Sequence, residues 1–107
     1  MSAAKGRLRI PDEIRDLISH LNPDTKRKVR AALDVVIDDP ASGMALSDQL
    51  AGYRRIRIAG WRIVYRQVGT VIQIHAVGRR TSVYADLIAR IEGSARRRAG
   101  GSRAKHT

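Results

Sequence analysis

Three short segments of alternating apolar and polar residues, 53–58, 61–66 and 70–77, follow one another with only Ala59-Gly60 and residues 67–69 between them. Stretches so short, rich in β-branched residues and broken by glycine, read as strands, and the brevity of the breaks leaves no room for crossover connections. They predict tight hairpins and hence an antiparallel meander. Alternate side chains of a strand share a face, so Arg55 and Arg57 point away from Ile56 and Ile58. By the same parity Arg62, Val64 and Arg66 oppose Trp61, Ile63 and Tyr65. Setting the apolar residues on the core then places Arg62 beside Arg55 and Arg57 on a wet, charged face.

That face is unusual in composition. Between Asp48 and Asp86 the chain has Arg54, Arg55, Arg57, Arg62, Arg66, Arg79 and Arg80 but no acidic residue and no lysine. Like charges opposed on neighbouring strands cost about 0.2–1 kcal/mol per pair unless an anion lies between them. Arginine's planar fork donates two parallel hydrogen bonds to phosphate and stays protonated at physiological pH. The 107 residues carry 21 lysines and arginines against 10 acidic residues, a net charge of +11, so the general field also favours polyanions. A nucleic acid is the expected partner; an acidic protein segment or an ordinary exposed sheet face are the alternatives.

The rest of the chain reads as one domain around that sheet. Residues 5–10 alternate basic and apolar and predict a short first strand with Leu8 and Ile10 inward. Pro11, Asp12 and Glu13 suit a helix start, and Ile14, Leu17, Ile18 and Leu21 keep helical spacing. Asn22-Pro23 ends that helix and caps a second one, which buries Val29, Ala32, Leu33, Val36 and Ile37 and stops at Asp38, Asp39 and Pro40. Its cluster Lys26, Arg27, Lys28 and Arg30 reads first as a solvated helix face; Lys26 and Lys28 are also candidate contacts to an RNA backbone, with Arg54, Arg66 and Arg79. Residues 41–52 predict a loop with Met44, Leu46 and Leu50 as core plugs. A short last helix over 83–92 ends at Gly93. The domain is expected to span 1–93, followed by a basic, disordered tail over 94–107. That tail holds five basic residues and no acid, which leaves +6 on residues 1–93.

Other chemistries find little support. There is no cysteine, so thiol nucleophiles and zinc ribbons are excluded. His20, His75 and His106 are scattered without carboxylates at ligand spacing, and no glycine-rich phosphate loop occurs, so neither a metal nor a nucleotide cofactor is expected. A lone strand histidine such as His75 reads as structural, and Trp61 as a core or sheet-edge residue. No long apolar run and no strongly basic amphipathic helix is present, so the expectation is a cytoplasmic protein that does not bind membranes.

The run LAGYRRIRIAGWRIVYRQVGTVIQIHAVGRRTSVY, residues 50–84, resembles the RelE/ParE superfamily of bacterial toxin–antitoxin toxins. The resemblance rests on G-W-R-I-V-Y at 60–65 and G-R-R-T-S-V-Y at 78–84, and with the helical hairpin it spans most of residues 5–92. It implies an α+β fold in which an N-terminal helical hairpin packs on a twisted antiparallel sheet of three to four strands, with a short C-terminal helix. It also implies a RelB-like antitoxin in a heteromeric complex. RelE-type toxins cleave mRNA in the ribosomal A site; ParE-type toxins poison DNA gyrase. Residue by residue, Arg55 and Arg57 fall where RelE-type nucleases carry basic residues on the first meander strand. Arg62 matches the arginine after the strand-opening aromatic, Arg80 that of the terminal motif, and Tyr84 the tyrosine closing it.

The chemistry implied for these five residues is attack by an RNA 2′-hydroxyl on its own 3′-phosphate. The protein supplies in-line geometry and donors aimed at charge developing on phosphorus, a task for Arg62 and Arg80. Tyr84 would stack on a base or orient a hydroxyl. Where many RelE proteins have lysine, this chain has Arg55 and Arg57, which are poor general bases. The readings left open are therefore a ribosome-dependent endoribonuclease, a gyrase poison, and a noncatalytic RNA- or antitoxin-binding module.

Overall fold

The computed structural model describes residues 7–104, with side-chain surroundings through residue 95. Strand β1 (Arg7–Arg9) leads into helices α1 (Asp12–Ser19) and α2 (Pro23–Asp38), and a 3-10 turn (Pro40–Ser42) connects to a two-residue strand β2 (Met44–Ala45). After a second 3-10 turn (Asp48–Leu50) come β3 (Arg54–Ile58), β4 (Trp61–Val68) and β5 (Val71–Gly78), then helix α3 (Ser82–Ala104).

The expected caps are present. Asn22 accepts a hydrogen bond from the Thr25 amide at 2.9 Å, and Pro23 occupies the first helical position of α2, where its missing N–H has no partner to lose. The β3–β4 turn has positive φ at both Ala59 (49°) and Gly60 (83°), as a type I′ hairpin requires. Strand β4 runs two residues further than its sequence pattern predicts, so the next turn is Gly69-Thr70 with positive φ at Gly69 alone.

The sheet order is β1-β5-β4-β3-β2. Its centre is the antiparallel meander expected from the sequence, but the sheet has five strands and is mixed. Strand β1 pairs parallel with β5, Leu8 opposite Ile72, while β2 pairs antiparallel with β3. Both additions join strands far apart in sequence or only two residues long, and local periodicity carries no information on either.

Two cores form, one on each face. On the first, α1 and α2 lay Ile18, Val29, Leu33 and Val36 on Ile63, Tyr65, Ile72 and Ile74, with Ile56 and Ile58 at the rim. On the second, α3 lays Val83 and Leu87 on Val64 and Ala76, and Leu50 and Tyr53 complete the cluster. The arginine-bearing face is therefore not the open wet surface that parity alone predicts. Val64 is fully buried on it, because Val83 and Leu87 of α3 pack over it with Leu50 and Tyr53. The helix also continues past the expected end at Gly93, to Ala104. A helical glycine costs about 1 kcal/mol relative to alanine, which the alanines and arginines around Gly93 tolerate. Met44, expected as a core plug, is instead 60% exposed, whereas Leu46 is half-buried and Leu50 buried. Residues 1–6 and 105–107, including the start of the expected first strand and the end of the expected tail, lie outside the described residues.

Candidate nucleic-acid interface

Register fixes most of the arginine row. On the α3 face Arg57 stands directly opposite Arg62, and Arg55 opposite Val64. Directly opposed residues have Cβ atoms about 4.5–5.5 Å apart, so two guanidinium stems project side by side. Arg62 also faces Gly78 across β5, and Arg80 follows two residues later in the turn that opens α3. Two residues of chain reach at most about 7 Å, so Arg80 leaves the sheet beside the end where Arg62 sits. Arg55, Arg57 and Arg62 share one face, and Arg80 is exposed at its end.

The hydrogen bonds show how these side chains are held. Arg62 donates to the Arg79 carbonyl at 2.7 Å, which ties β4 to the β5–α3 turn and stretches the guanidinium toward the Arg80 end of the row. Arg55 donates to the sulfur of Met44 at 2.8 Å. The Nε atoms of Arg55, Arg62 and Arg66 and the hydroxyl of Tyr84 are buried without a hydrogen-bond partner. Four unsatisfied buried polar atoms on one face are far from neutral for stability, each costing roughly 1–3 kcal/mol. An oxyanion lying along the row would supply acceptors. The ion pairs Asp16–His20, Asp24–Arg27 and Asp24–Lys28 lie on the helical layer, away from the arginine row.

The remaining sequence candidates divide differently. Arg54 lies on the opposite face of β3, paired with Tyr65, and donates to the carbonyls of Gly43 at 2.8 Å and Ala41 at 3.3 Å, a structural clamp on the chain entering β2. Lys26 and Lys28 are on α2, which packs on the first core, so the sheet separates them from the arginine row; Lys28 pairs with Asp24 at 3.3 Å. Arg79 turns onto the Trp61 ring, 5.8 Å from its centroid, and lines a cavity of about 330 Å³ with Trp61, Arg80 and Asp86. Arg66 stays on the α3 face but further along β4, over the ring of Tyr53 at 5.3 Å. Sequence parity missed that Arg90, on α3, comes to this second place. The signal was there in principle, since Arg90 follows Leu87 by one helical turn.

His75 owes its position to a bulge. Val64 pairs with Ala76 and Tyr65 with Ile74, which leaves His75 without an opposite residue on β4. Its ring packs edge-on against Tyr53 at 5.1 Å, and its Nε2 lies 3.1 Å from Gln73 Oε1. Burial, then the positive charges of Arg66 and Arg90, push its pKa below the ordinary 6.5 and hold it neutral. Among the described residues no group of three or more histidine, cysteine or acidic side chains is placed to hold a metal ion, and no helix is long and apolar enough to cross a membrane.

A family model described as the ParE toxin of type II toxin–antitoxin systems, parDE, matches residues 2–84. The chain belongs to this toxin family. No curated protein matches the sequence. Among solved structures, the toxin is similar to the toxin–antitoxin complex RelBE2 from Mycobacterium tuberculosis, with 25% identity, a TM-score of 0.62, and coverage of 71% of this chain and 99% of that one. It also shares its fold with a free-state arginine-substituted mutant of the E. coli toxin RelE (19% identity, TM-score 0.68, coverage 81% and 98%). The isolated E. coli RelE toxin is a further match, at 20% identity, TM-score 0.61 and coverage of 80% and 98%. The toxin thus has the α+β fold of the RelE/ParE superfamily, and the stretch beyond residue 84, most of α3, lies outside the family match.

Proposed function

We propose that this toxin is a ribosome-dependent endoribonuclease, held in check by a RelB-like antitoxin, and that Arg55, Arg57, Arg62, Arg80 and Tyr84 form its site. The observation that carries the reading is the direct opposition of Arg57 and Arg62, with Arg55 beside them on the same face. A sheet keeps such a row at a cost in stability, and an RNA phosphate removes that cost.

In the reaction the 2′-oxygen of one nucleotide bonds to the adjacent phosphorus and the bond from phosphorus to the 5′-oxygen breaks. The 2′-hydroxyl proton leaves to water, and the departing 5′-oxygen takes a proton from water. Guanidinium groups cannot accept the first proton, so Arg57, Arg62 and Arg80 act by positioning the phosphate and stabilising charge on its oxygens. The α3 N-terminus beside Arg80 adds the positive end of a helix dipole to the same spot. Tyr84, whose hydroxyl is buried without a partner, orients a substrate hydroxyl or phosphate oxygen. His75 stands beside Arg66, Arg90 and Tyr53 and takes no part in proton transfer at the row.

Incubation with translating ribosomes, followed by mapping of RNA 5′ ends, tests this. The expected result is A-site cuts that disappear with Arg80→Ala; intact mRNA at toxic doses would remove the reading. A second reading, poisoning of DNA gyrase, is favoured by the family match over residues 2–84. It is recognised by accumulation of gyrase–DNA cleavage complexes in place of cut mRNA.

A further inference from the structure

Along β4, Arg62 and Arg66 project from the same face four residues apart, a span of about 13 Å at the usual strand rise. Arg62 belongs to the row described above. Arg66 instead borders an open cavity of about 440 Å³ between the sheet and α3, lined by Tyr53, Arg66, His75, Leu87, Arg90, Ile91 and Ser94. Among the described residues no acidic one lines it. Two guanidinium groups share one cavity without a carboxylate, an arrangement that repels itself when the cavity is empty.

Both arginines are held for use. The Arg66 guanidinium rests on the Tyr53 ring, and its buried Nε has no acceptor. Arg90 donates through one terminal nitrogen to the His75 carbonyl at 2.9 Å, an anchor that leaves its other donors to the cavity. Fixing the two side chains in advance removes part of the entropy cost of closing on a ligand. The Tyr53 ring is engaged by Arg66 over it and by His75 in an edge contact, so Arg66 competes with any base for that surface. His75 is neutral and adds no charge of its own. A smaller cavity of about 240 Å³ shares His75 and Arg90 and reaches Arg9 on β1, which prolongs the basic path across the sheet edge.

We propose that this cavity is a second phosphate site, in which Arg66 and Arg90 clasp one phosphodiester group of the RNA strand whose scissile phosphate lies on the Arg55–Arg57–Arg62 row. The identity of the polymer rests on the function proposed above; the phosphate site itself does not. The site extends the footprint along β4 by the length of the Arg62–Arg66 interval and makes the strand run alongside α3.

His75 is the built-in reporter. Its ring signals in the NMR spectrum of the full chain are followed while inorganic phosphate is added, and the titration is repeated with Arg90→Gln and with Arg57→Ala. A saturable shift is expected, with the His75 titration midpoint rising as bound phosphate offsets the charges of Arg66 and Arg90. Arg90→Gln, at an exposed position, should abolish the shift while the remaining spectrum stays native; Arg57→Ala should keep it. With a single-stranded RNA oligonucleotide, the slope of log affinity against log salt should fall in magnitude by about 0.7 in Arg90→Gln, the loss of one phosphate contact. A His75 signal indifferent to phosphate would overturn the proposal, as would an unaltered shift in Arg90→Gln. So would a shift produced by an acidic peptide but by neither phosphate nor RNA. If ribosomes show no mRNA cleavage while the His75 shift persists, the nuclease reading falls and the phosphate site stands. Cleavage with a silent His75 gives the reverse.

Discussion

Tyr65 shows how much one hydroxyl can hold. Its ring is fully buried, and its oxygen donates to the Pro40 carbonyl at 2.7 Å while accepting from the Gly43 amide at 3.0 Å. It therefore pins the connection from α2 to β2 onto the sheet. Gly43 must lack a side chain, since a Cβ there would lie 2.6 Å from the Tyr65 hydroxyl. Tyr65→Phe strands two backbone groups and should lower stability by roughly 1–3 kcal/mol, read as a shift of the urea midpoint with unchanged slope. A change within error would mean that water replaces both bonds. His75 makes a second prediction, about pH. Its folded pKa lies below the unfolded value of 6.5, so the unfolded chain takes up a proton first as pH falls. The contribution of neutral His75 is complete above 6.5, declines below it, and stops changing once the folded pKa is passed. The groups acting on the ring are Tyr53, Gln73, Arg66 and Arg90, with Arg9 across the shared cavity. Thermal unfolding between about pH 5 and 7 should show less decline in His75→Gln than in the parent chain, a range above most carboxylate titrations. Parallel curves would count against the shift.

The opposed pair on β3 and β4 belongs to the scale of elements. Arg57 is exposed and directly across from Arg62, so Arg57→Ala removes a like-charge pair from the hairpin. Stability should stay level or rise by about 0.2–1 kcal/mol while RNA binding weakens, two readouts of opposite sign. A variant that loses both together would show Arg57 to be structural. This hairpin was legible in the sequence because strand parity and glycine turns are local. The pairing of Ile56 with Ile63, the burial of Ile63 and Tyr65, and the Asn22 cap all follow from periods of two or 3.6 and from single-residue chemistry. What escaped was set by distant contacts. Whether β1 docks on β5, whether Arg54 faces Gly43, and whether α3 covers Val64 depend on residues eleven or more positions away. The bulge that frees His75 has no mark in the alternation of 70–77, which is why Arg66, Tyr53, His75 and Arg90 could not be assembled from the sequence.

The whole molecule is electrically two-sided, and the asymmetry follows chain order. Seven of the ten acidic residues, Asp12, Glu13, Asp16, Asp24, Asp34, Asp38 and Asp39, fall in or beside α1 and α2, where only five basic residues accompany them. Residues 40–95 hold eight arginines against Asp48, Asp86 and Glu92. The sheet divides the molecule accordingly, with a mildly acidic helical layer on one side and the arginine row and α3 on the other. Such a field steers a polyanion to one face and turns it away from the other, and it does so within a Debye length of about 10 Å at 0.1 M salt. The same excess of positive charge repels itself within the fold. Added monovalent salt should therefore act with opposite signs on two measurements. RNA affinity should fall with a slope near −0.7 per phosphate contact, about −3 for the four arginines of the proposed nuclease site. The melting temperature over the same salt range should hold or rise, as screening relieves the repulsion. A melting temperature that falls together with affinity would mean that ion pairs dominate this surface. That outcome conflicts with the direct opposition of Arg57 and Arg62 across β3 and β4.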